Sequence, residues 1–353
     1  MKTKTLKLRI KDKHAKQLNA MARSVNFVWN YINELSCRSI CERGQFLSAY
    51  DLQRYTKSAG KELGLGAATV QMVGAEYVTR RKQFKKNQLN WRKSGGARRS
   101  LGWVPFRGDC ANWKNGQIFH NGHYYGVWDS YGLSKYQFKS GSFNEDARGR
   151  WYFNVAVSVD VEKSKGVESV GIDLGCKEAA IDSNGDGVKG REYRKLEAKL
   201  GVAQRARNKK QVKTIHAKIK NRRADALHKY SRTLVNENAA IFVGNVNSLA
   251  MVKTKMAKST LDAGWGMLKT MLDYKCDHAG IVFEEINEAY TTVTCSCCKK
   301  RTGPRGREEL RIREWSCTEC GALHDRDINA AKNILRIGLD TLAGESPSFN
   351  YGA

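Results

Sequence analysis

Two pairs of cysteines near the end of the sequence constrain the fold of this chain more than any other feature. Cys295 and Cys298 form one C-x2-C pair, and Cys317 and Cys320 form a second. Each pair places two thiolates on one tight turn, and two such turns supply the four ligands of a tetrahedral zinc site. The spacing predicts one structural zinc ion at these cysteines. Cys297 competes with Cys298 as a ligand, although the x2 spacing favours Cys298.

Acidic residues follow the second cysteine pair in the motif HDRD at 324–327, and the sequence NAAKN at 329–333 is typical of a helix start. A zinc site here would fix the loop that presents an acidic residue. A second acidic motif lies far upstream, where the apolar strand at 168–173 ends in Asp173. Together the two motifs predict a metal-dependent nuclease.

The chain carries a large excess of positive charge. Lys and Arg number 62 against 35 Asp and Glu, so the formal net charge is +27. An enzyme that acts on a small metabolite has no use for this imbalance. A polyanion partner does, because each phosphate that a cation neutralises releases bound counterions. The charge therefore predicts a nucleic-acid partner.

Basic residues are concentrated in the run RRKQFKK at 80–86 and in the helical stretch at 191–237, which also carries an apolar stripe. A solvated helix face is the alternative interpretation of either stretch. Phosphate binding is favoured, because like charges along a helix otherwise repel one another. The candidate nucleic-acid contacts are Gln71, Tyr77, Arg80, Lys85, Arg205, Lys209, Lys213, Arg222 and Arg326.

No secretion signal or membrane span is predicted. The start MKTKTLKLRI lacks an apolar core, and the chain has no apolar run of ~20 residues. We therefore expect a cytoplasmic protein whose cysteines are reduced.

The order of elements predicts two different parts. A strand at 3–10 is followed by helical patterns at 14–35 and 48–88, and then by short alternating runs at 91–160 that are typical of a small barrel or sandwich. If the first strand pairs with these runs, the helices form an insertion. The second part alternates strands at 168–173, 179–182, 239–243 and 281–286 with helices at 191–237, 260–279 and 328–337.

Five motifs together resemble one protein family. They are GIDLG at 171–175, YKCDHAG at 274–280, TCSCC at 294–298, WSCTECG at 315–321 and HDRDINAAKNI at 324–334. This combination resembles the TnpB/OrfB proteins of insertion sequences, which are RNA-guided DNA nucleases related to the ancestors of type V CRISPR effectors. Specific motifs carry the resemblance over 166–338, and only the layout carries it over 1–165.

The resemblance implies an α/β RNase H-like (RuvC) nuclease domain with an inserted zinc ribbon, and an N-terminal β-barrel (wedge) that carries a helical recognition insertion. The expected boundaries are 1–12 and 91–165 for the wedge, 13–90 for the recognition insertion, 166–290 and 323–338 for the nuclease domain, 291–322 for the zinc element and 339–353 for a tail.

The family's catalytic module has three acids that hold two Mg²⁺ ions. Carboxylates suit hard divalent cations, and two ions stabilise both the attacking and the leaving oxygen of phosphodiester cleavage. The resemblance maps the first acid onto Asp173 and the third onto Asp327, with Asp325 as an outer neighbour. It maps the zinc ligands onto the four paired cysteines, with His324 as a weaker alternative ligand.

The sequence departs from the family at the second acid. The family usually has a Glu directly after the strand at 240–243, where this chain has Gly244 and Asn245. In one interpretation the acid has moved to Glu288, just beyond the neighbouring strand, with Glu285 and Glu284 as alternatives further back along it. In the other the site is incomplete, and Glu288 is an ordinary surface residue.

The resemblance thus implies a prokaryotic, cytoplasmic RNA-guided endonuclease that cuts target DNA beside a short adjacent motif. A guide RNA would pair with one strand of the unwound DNA, and base pairing would supply the specificity. Two alternatives stay open: a nuclease-dead, RNA-guided repressor and a compact type V CRISPR effector.

Overall fold

The computed structural model describes residues 2–344 apart from 162, 192, 247–250, 252–256, 306 and 307. The chain divides into two compact units, the first of which ends at Asp160. The boundary predicted between the wedge and the nuclease domain, at 165, lies a few residues beyond this division.

The first unit is built on a sheet whose first strand pairs with its last. β1 (Lys2–Arg9) runs antiparallel to β7 (Trp151–Val159), with Leu6 opposite Val155. Leu6 and Val155 are buried, whereas Lys7, the next residue of β1, is exposed, as expected for successive strand residues. The pairing predicted for the first strand is confirmed, and the helices lie in an insertion between the two strands.

Two more strands complete this sheet in the order β1-β7-β6-β2. Its interior is aromatic: the Phe106 and Phe153 rings stack at 5.1 Å with nearly parallel planes. A three-stranded sheet in the order β3-β4-β5 forms a second ladder. The strands are β2 (Trp103–Phe106), β3 (Ala111–Lys114), β4 (Gln117–His120), β5 (His123–Tyr125) and β6 (Phe138–Glu145). Closure into a barrel stays a prediction.

The inserted helices are α1 (Ala15–Arg43), α2 (Ala49–Thr56), α3 (Ala59–Leu63) and α4 (Ala67–Phe84). Asparagines of α1 hold the segment that follows α4. The Asn33 amide donates to the Leu89 carbonyl at 2.8 Å and accepts from the Leu89 N–H at 2.9 Å. Asn30 makes the same two bonds with Arg92. A side-chain amide can donate to the carbonyl and accept from the N–H of the same residue, so these asparagines bind the segment much as a neighbouring strand would.

The second unit contains a mixed sheet in the order β10-β9-β8-β11-β12. Its strands are β8 (Glu168–Asp173), β9 (Glu178–Asp182), β10 (Gly187–Lys189), β11 (Asn238–Gly244) and β12 (Val282–Ile286). The first three form an antiparallel meander, whereas β8, β11 and β12 are parallel. Parallel strands end at the same edge of a sheet, where α/β proteins gather their functional residues.

The helices of this unit are α5 (Arg194–Arg205), α6 (Lys209–Glu237), α7 (Ala257–Ala263), α8 (Trp265–Ala279) and α9 (Arg326–Leu342). Leu227 of α6 and Leu268 of α8 share one core with Val170 and Val243 of the sheet. Helix α5 and the first half of α6 have a separate small core, formed by Leu196, Ala203, Ile215 and Ile219. The predicted helices at 191–237 are thus confirmed as a hairpin that packs through its apolar stripe.

Helix α9 packs on the sheet at backbone distance. A β-carbon on Gly171 of β8 would overlap the Ala331 carbonyl and the Leu335 amide nitrogen, and a β-carbon on Gly338 of α9 would overlap the Phe242 ring. A larger side chain at either position would therefore force the helix or the sheet to shift. This close approach sets the position of the helix relative to β8 and β11.

The zinc element lies between β12 and α9 and ends in a hairpin of β13 (Glu314–Ser316) and β14 (Leu323–Asp325). The chain passes from β14 directly into α9. Among the described residues no helix is both long and apolar enough to cross a membrane.

We predict that Gly338→Ala lowers the free energy of unfolding by about 1–3 kcal/mol, the usual cost of overpacking, although alanine favours a helix by about 1 kcal/mol over glycine. Gly266 of α8 is the control, because a β-carbon there meets nothing within 4 Å. Gly266→Ala should stabilise the protein by about 0.4–1 kcal/mol. Urea denaturation measures both changes. Equal stability of Gly338→Ala and the wild type would contradict the packing described for α9.

Candidate active site

Acidic residues meet at the edge where the parallel strands end. Asp173 is the last residue of β8; the adjacent strand β11 ends at Gly244, and β12, on the far side of β11, ends opposite it at Ile286. Asp327 lies in the first turn of α9. Asp325 caps this helix, because its Oδ1 accepts hydrogen bonds from the backbone N–H groups of Asp327 at 3.0 Å and Ile328 at 2.9 Å.

The charges at this edge act on one another. The pKa of the Asp173 carboxyl is raised to about 7 by burial and by the negative charges of Asp327 and Glu288, against a smaller opposing effect of Arg326. Burial also raises the pKa of Glu288. Buried carboxylates whose pKa is raised in this way are typical of functional sites. The Asp327 and Glu288 carboxylates therefore lie close enough to Asp173 for their charges to act on it.

The Glu288 side chain reaches over Gly244. A β-carbon added to Gly244 would overlap Glu288 Oε2 and would lie 3.4 Å from Glu288 Cβ. The carboxylate thus occupies the space that a side chain at the end of β11 would fill. Its Oε2 is buried and has no hydrogen-bond partner among the described residues.

The alternative acids for this position lie differently. Glu285 forms an ion pair with Lys269 at 2.6 Å. Glu284 lies on β12 opposite Phe242, two residues before the strand ends. The carboxylates that raise the Asp173 pKa are those of Asp327 and Glu288. Of the three candidates, the geometry favours Glu288.

Arg313, in the zinc element, is a site residue that the sequence did not indicate. Its Nη1 donates to both carboxylate oxygens of Asp327, at 2.6 and 2.8 Å. An arginine in a charged stretch gives no local signal of such a contact.

The three acids are more widely spaced than the zinc ligands. Among the described residues, the sulfurs of the four paired cysteines all lie within 4.8 Å of one another, whereas the carboxylate oxygens of Asp173, Glu288 and Asp327 do not.

Two asparagines of α9 hold the loop that begins at Glu288. The Asn333 amide donates to the carbonyls of Thr291 at 2.9 Å and Thr294 at 2.7 Å. The Asn329 amide also donates to the Thr294 carbonyl, at 2.8 Å. Both asparagines are buried. The helix that presents Asp327 therefore also fixes the segment between Glu288 and the first zinc cysteine. The sequence motif indicated a helix start but not this contact.

The four paired cysteines have the geometry of a zinc site. The Sγ atoms of Cys295 and Cys320 lie 3.7 Å apart, and those of Cys298 and Cys317 lie 3.6 Å apart. Tetrahedral zinc with Zn–S bonds of about 2.3 Å requires sulfurs about 3.8 Å apart. The Thr302 hydroxyl donates to Cys317 Sγ at 3.1 Å and lowers the pKa of this thiol to about 6, which favours the thiolate form that binds metal.

A second group of possible ligands overlaps the first. The ligand atoms of Cys295, Cys297 and His324 also lie within 4.8 Å of one another, although Cys297 is exposed. His324 Nε2 lies 3.0 Å from Cys295 Sγ. A histidine that donates its N–H to a zinc-bound thiolate orients that ligand. Because His324 directly precedes Asp325, it links the cysteines to the cap of α9.

Most of the predicted nucleic-acid contacts are on the surface, and one prediction is wrong. Tyr77 is 0% exposed, packs edge-on against Trp29 and donates its hydroxyl proton to Asn33. It is a core residue, because α4 turns this face toward α1. Arg326 is half-buried, and the exposed candidates are Gln71, Arg80, Lys85, Arg205, Lys209, Lys213 and Arg222.

We predict that the purified protein contains one zinc ion per chain and that Cys317→Ser loses it. Cys297→Ser should keep the ion, because the distances described above fit the four paired cysteines. Elemental analysis after gel filtration measures the stoichiometry. Loss of zinc in Cys297→Ser, with zinc retained in Cys298→Ser, would assign the ion to the Cys295–Cys297–His324 group instead.

The raised pKa of Asp173 predicts a pH-dependent effect on stability. Its carboxyl is protonated below about 7 in the folded chain but only below about 4 in the unfolded chain. Stability therefore falls as the pH rises from about 4 to about 7, and the loss is complete above that range. Without added Mg²⁺, Asp173→Asn should raise the Tm by a few degrees at pH 8 and by less at pH 5. A variant that melts below the wild type at pH 8 would contradict this account.

Comparison with known proteins identifies the relatives of the chain. The Cas12f1-like TNB domain family matches residues 265–334, and the OrfB_IS605 family, described as a probable transposase, matches residues 152–255. A Streptomyces pristinaespiralis protein provisionally named an RNA-guided DNA endonuclease is 33% identical over 212 residues, covering 56% of this chain and 52% of that protein.

Two further matches concern Cas12f1 proteins. The CRISPR-associated endodeoxyribonuclease Cas12f1 of Sulfoacidibacillus thermotolerans is 25% identical over 233 residues, covering 58% of this chain and 54% of that protein. The chain thus spans about half the length of the curated relatives it matches. A cryo-EM structure of a Cas12f1–sgRNA–target DNA complex has a TM-score of 0.58 at 14% identity and covers 94% of this chain and 98% of that chain, which shows a shared fold. The family models and the relatives together support the resemblance to the TnpB/OrfB family.

Proposed function

We propose that this chain is an RNA-guided, Mg²⁺-dependent DNA endonuclease with an RNase H-like (RuvC) catalytic domain. One observation carries the catalytic part of the proposal. The Glu288 carboxylate fills the space beside Gly244, at the strand end where the family usually has its second acid, and its charge acts on Asp173. Glu288 therefore replaces the acid that is missing after β11.

The three carboxylates fit Mg²⁺, a hard cation that prefers oxygen ligands. Asp173, Glu288 and Asp327 would hold two ions, which supply charge stabilisation and an activated water for phosphodiester hydrolysis. The raised pKa of Asp173 and the unpartnered Glu288 Oε2 support this assignment, because a cation would compensate the buried negative charge. Asp327 would first have to exchange Arg313 for the metal. The released guanidinium could then bind a phosphate.

The proposed partners are a guide RNA and double-stranded target DNA, which is unwound so that one strand pairs with the guide. The net charge of +27 supports them, as do the names of the relatives. The exposed cations of α5 and α6 are proposed to contact the heteroduplex backbone; they are Arg205, Lys209, Lys213 and Arg222. The first unit, with Gln71, Arg80 and Lys85 exposed, is proposed to recognise the adjacent motif.

A guided DNA-binding protein without nuclease activity is the second candidate. The ion pair between Arg313 and Asp327 favours it, because this contact competes with a metal ion for the carboxylate. The two candidates differ in cleavage and share target binding. A compact type V CRISPR effector would share the cleavage chemistry and differ in the origin of its guide RNA.

We predict that Glu288→Ala slows plasmid cleavage by more than about 100-fold, since even residues outside the metal ligands contribute 10–100-fold. Target binding should be unchanged. Glu284→Ala, on the preceding strand, is the matched control and should cut like the wild type. The assay uses protein co-expressed with its own flanking RNA and compares cleavage in Mg²⁺ with binding measured without added Mg²⁺.

The second acid can also be returned by mutation to the end of β11. In the Glu288→Ala background, Gly244→Glu should restore part of the cleavage, because its side chain would enter the space that Glu288 vacates. Wild-type cleavage by Glu288→Ala would exclude Glu288 as the second acid. A wild-type protein that binds its target and never cuts it would establish the guided DNA-binding protein instead.

A further inference from the structure

Tyr290 is an exposed aromatic residue in a strained backbone conformation, two residues after Glu288. Its φ angle is +65° and 52% of its surface is exposed. Residues with a β-carbon adopt this left-handed conformation at a cost, and they keep it where surrounding contacts enforce it. Here the Tyr290 carbonyl accepts hydrogen bonds from the N–H of Thr294 at 3.0 Å and of Val293 at 3.2 Å.

The ring has a cationic neighbour. The Arg301 guanidinium lies over the Tyr290 ring, 4.0 Å from its centroid, within the range of a cation–π interaction. A backbone bridge between Thr294 and Arg301 holds the two segments together. Among the described residues, Arg301 has no carboxylate partner and the Tyr290 hydroxyl has no hydrogen-bond partner. The pair therefore offers an aromatic face and a guanidinium whose N–H groups are available.

An aromatic ring beside a free guanidinium matches the chemistry of one nucleotide. An unpaired base stacks on an aromatic face, and arginine binds the neighbouring phosphate. A purely structural role would bury the ring, as it does for Tyr77, whereas Tyr290 is half exposed. Asn329 and Asn333 hold the same loop at Thr294, so the ring is presented from a fixed support close to Glu288.

We propose that Tyr290 and Arg301 form a stacking site for one unpaired nucleotide of the DNA strand that enters the candidate active site. The base stacks on the ring face opposite Arg301, and the guanidinium binds the adjacent phosphate. The placement of this site beside the cut rests on the proposed function, whereas the stacking itself does not.

The test uses the full chain loaded with its guide RNA, without added Mg²⁺ so that no cleavage occurs. The probe is a short single-stranded DNA oligonucleotide containing 2-aminopurine, whose fluorescence is quenched by stacking. The wild type and Tyr290→Phe should quench it. Tyr290→Gly removes the ring and keeps a residue suited to positive φ. It should abolish the quenching and weaken binding roughly tenfold. Arg301→Ala should weaken binding as well.

Lys299→Gly is the matched control, because Lys299 is an exposed residue of the same segment with φ +66° and no ring. It should quench like the wild type. Equal quenching by Tyr290→Gly and the wild type would overturn the proposal, and so would stronger quenching of an RNA oligonucleotide carrying the same probe. If the wild type quenches the DNA probe and never cleaves a target, the endonuclease proposal fails and the stacking site stands. If the wild type cleaves its target and does not quench the DNA probe, the stacking site fails and the endonuclease proposal stands.

Discussion

The contact of α9 with the sheet is the interaction on which the second unit depends. Gly171 allows the helix backbone to lie directly on β8, and Gly338 allows it to lie on the Phe242 ring. The helix cannot shift away without opening a cavity, or move closer without a clash, so its first turn has one position. That turn carries Asp327 and faces the edge where β8 ends in Asp173. The two glycines thus determine how Asp327 is placed relative to Asp173.

The zinc element and the loop after β12 are tied to the same helix. Asn329 and Asn333 bind the loop carbonyls, and the chain runs from His324 into the cap at Asp325. A metal bound by the cysteines would hold β14, and with it the start of α9, in place. Structural zinc contributes folding free energy directly. The cysteines therefore support the acidic site through the chain between them, although they lie outside it.

Local patterns predicted much of this architecture. Three predictions rest on residues that are close together in the sequence, and each agrees with the structure. They are the alternation in β1, the apolar strand that ends in Asp173 and the cysteine spacing. Contacts between distant elements could not be predicted in this way. The prediction for Tyr77 is wrong because no local pattern shows which face of α4 meets α1. Arg313 was missed because its partner lies on another element, and the space beside Gly244 becomes visible only when β11 and β12 are paired.

We propose that Glu288 acts in place of an acid that the chain lacks after β11. The most direct measurement is a crystal structure of the protein with Mn²⁺, in which anomalous scattering locates the ions and their ligands. We expect manganese bound by Asp173, Glu288 and Asp327, with Arg313 displaced from Asp327. Manganese bound by Asp173 and Asp327 alone, with the Glu288 carboxylate turned away, would contradict it.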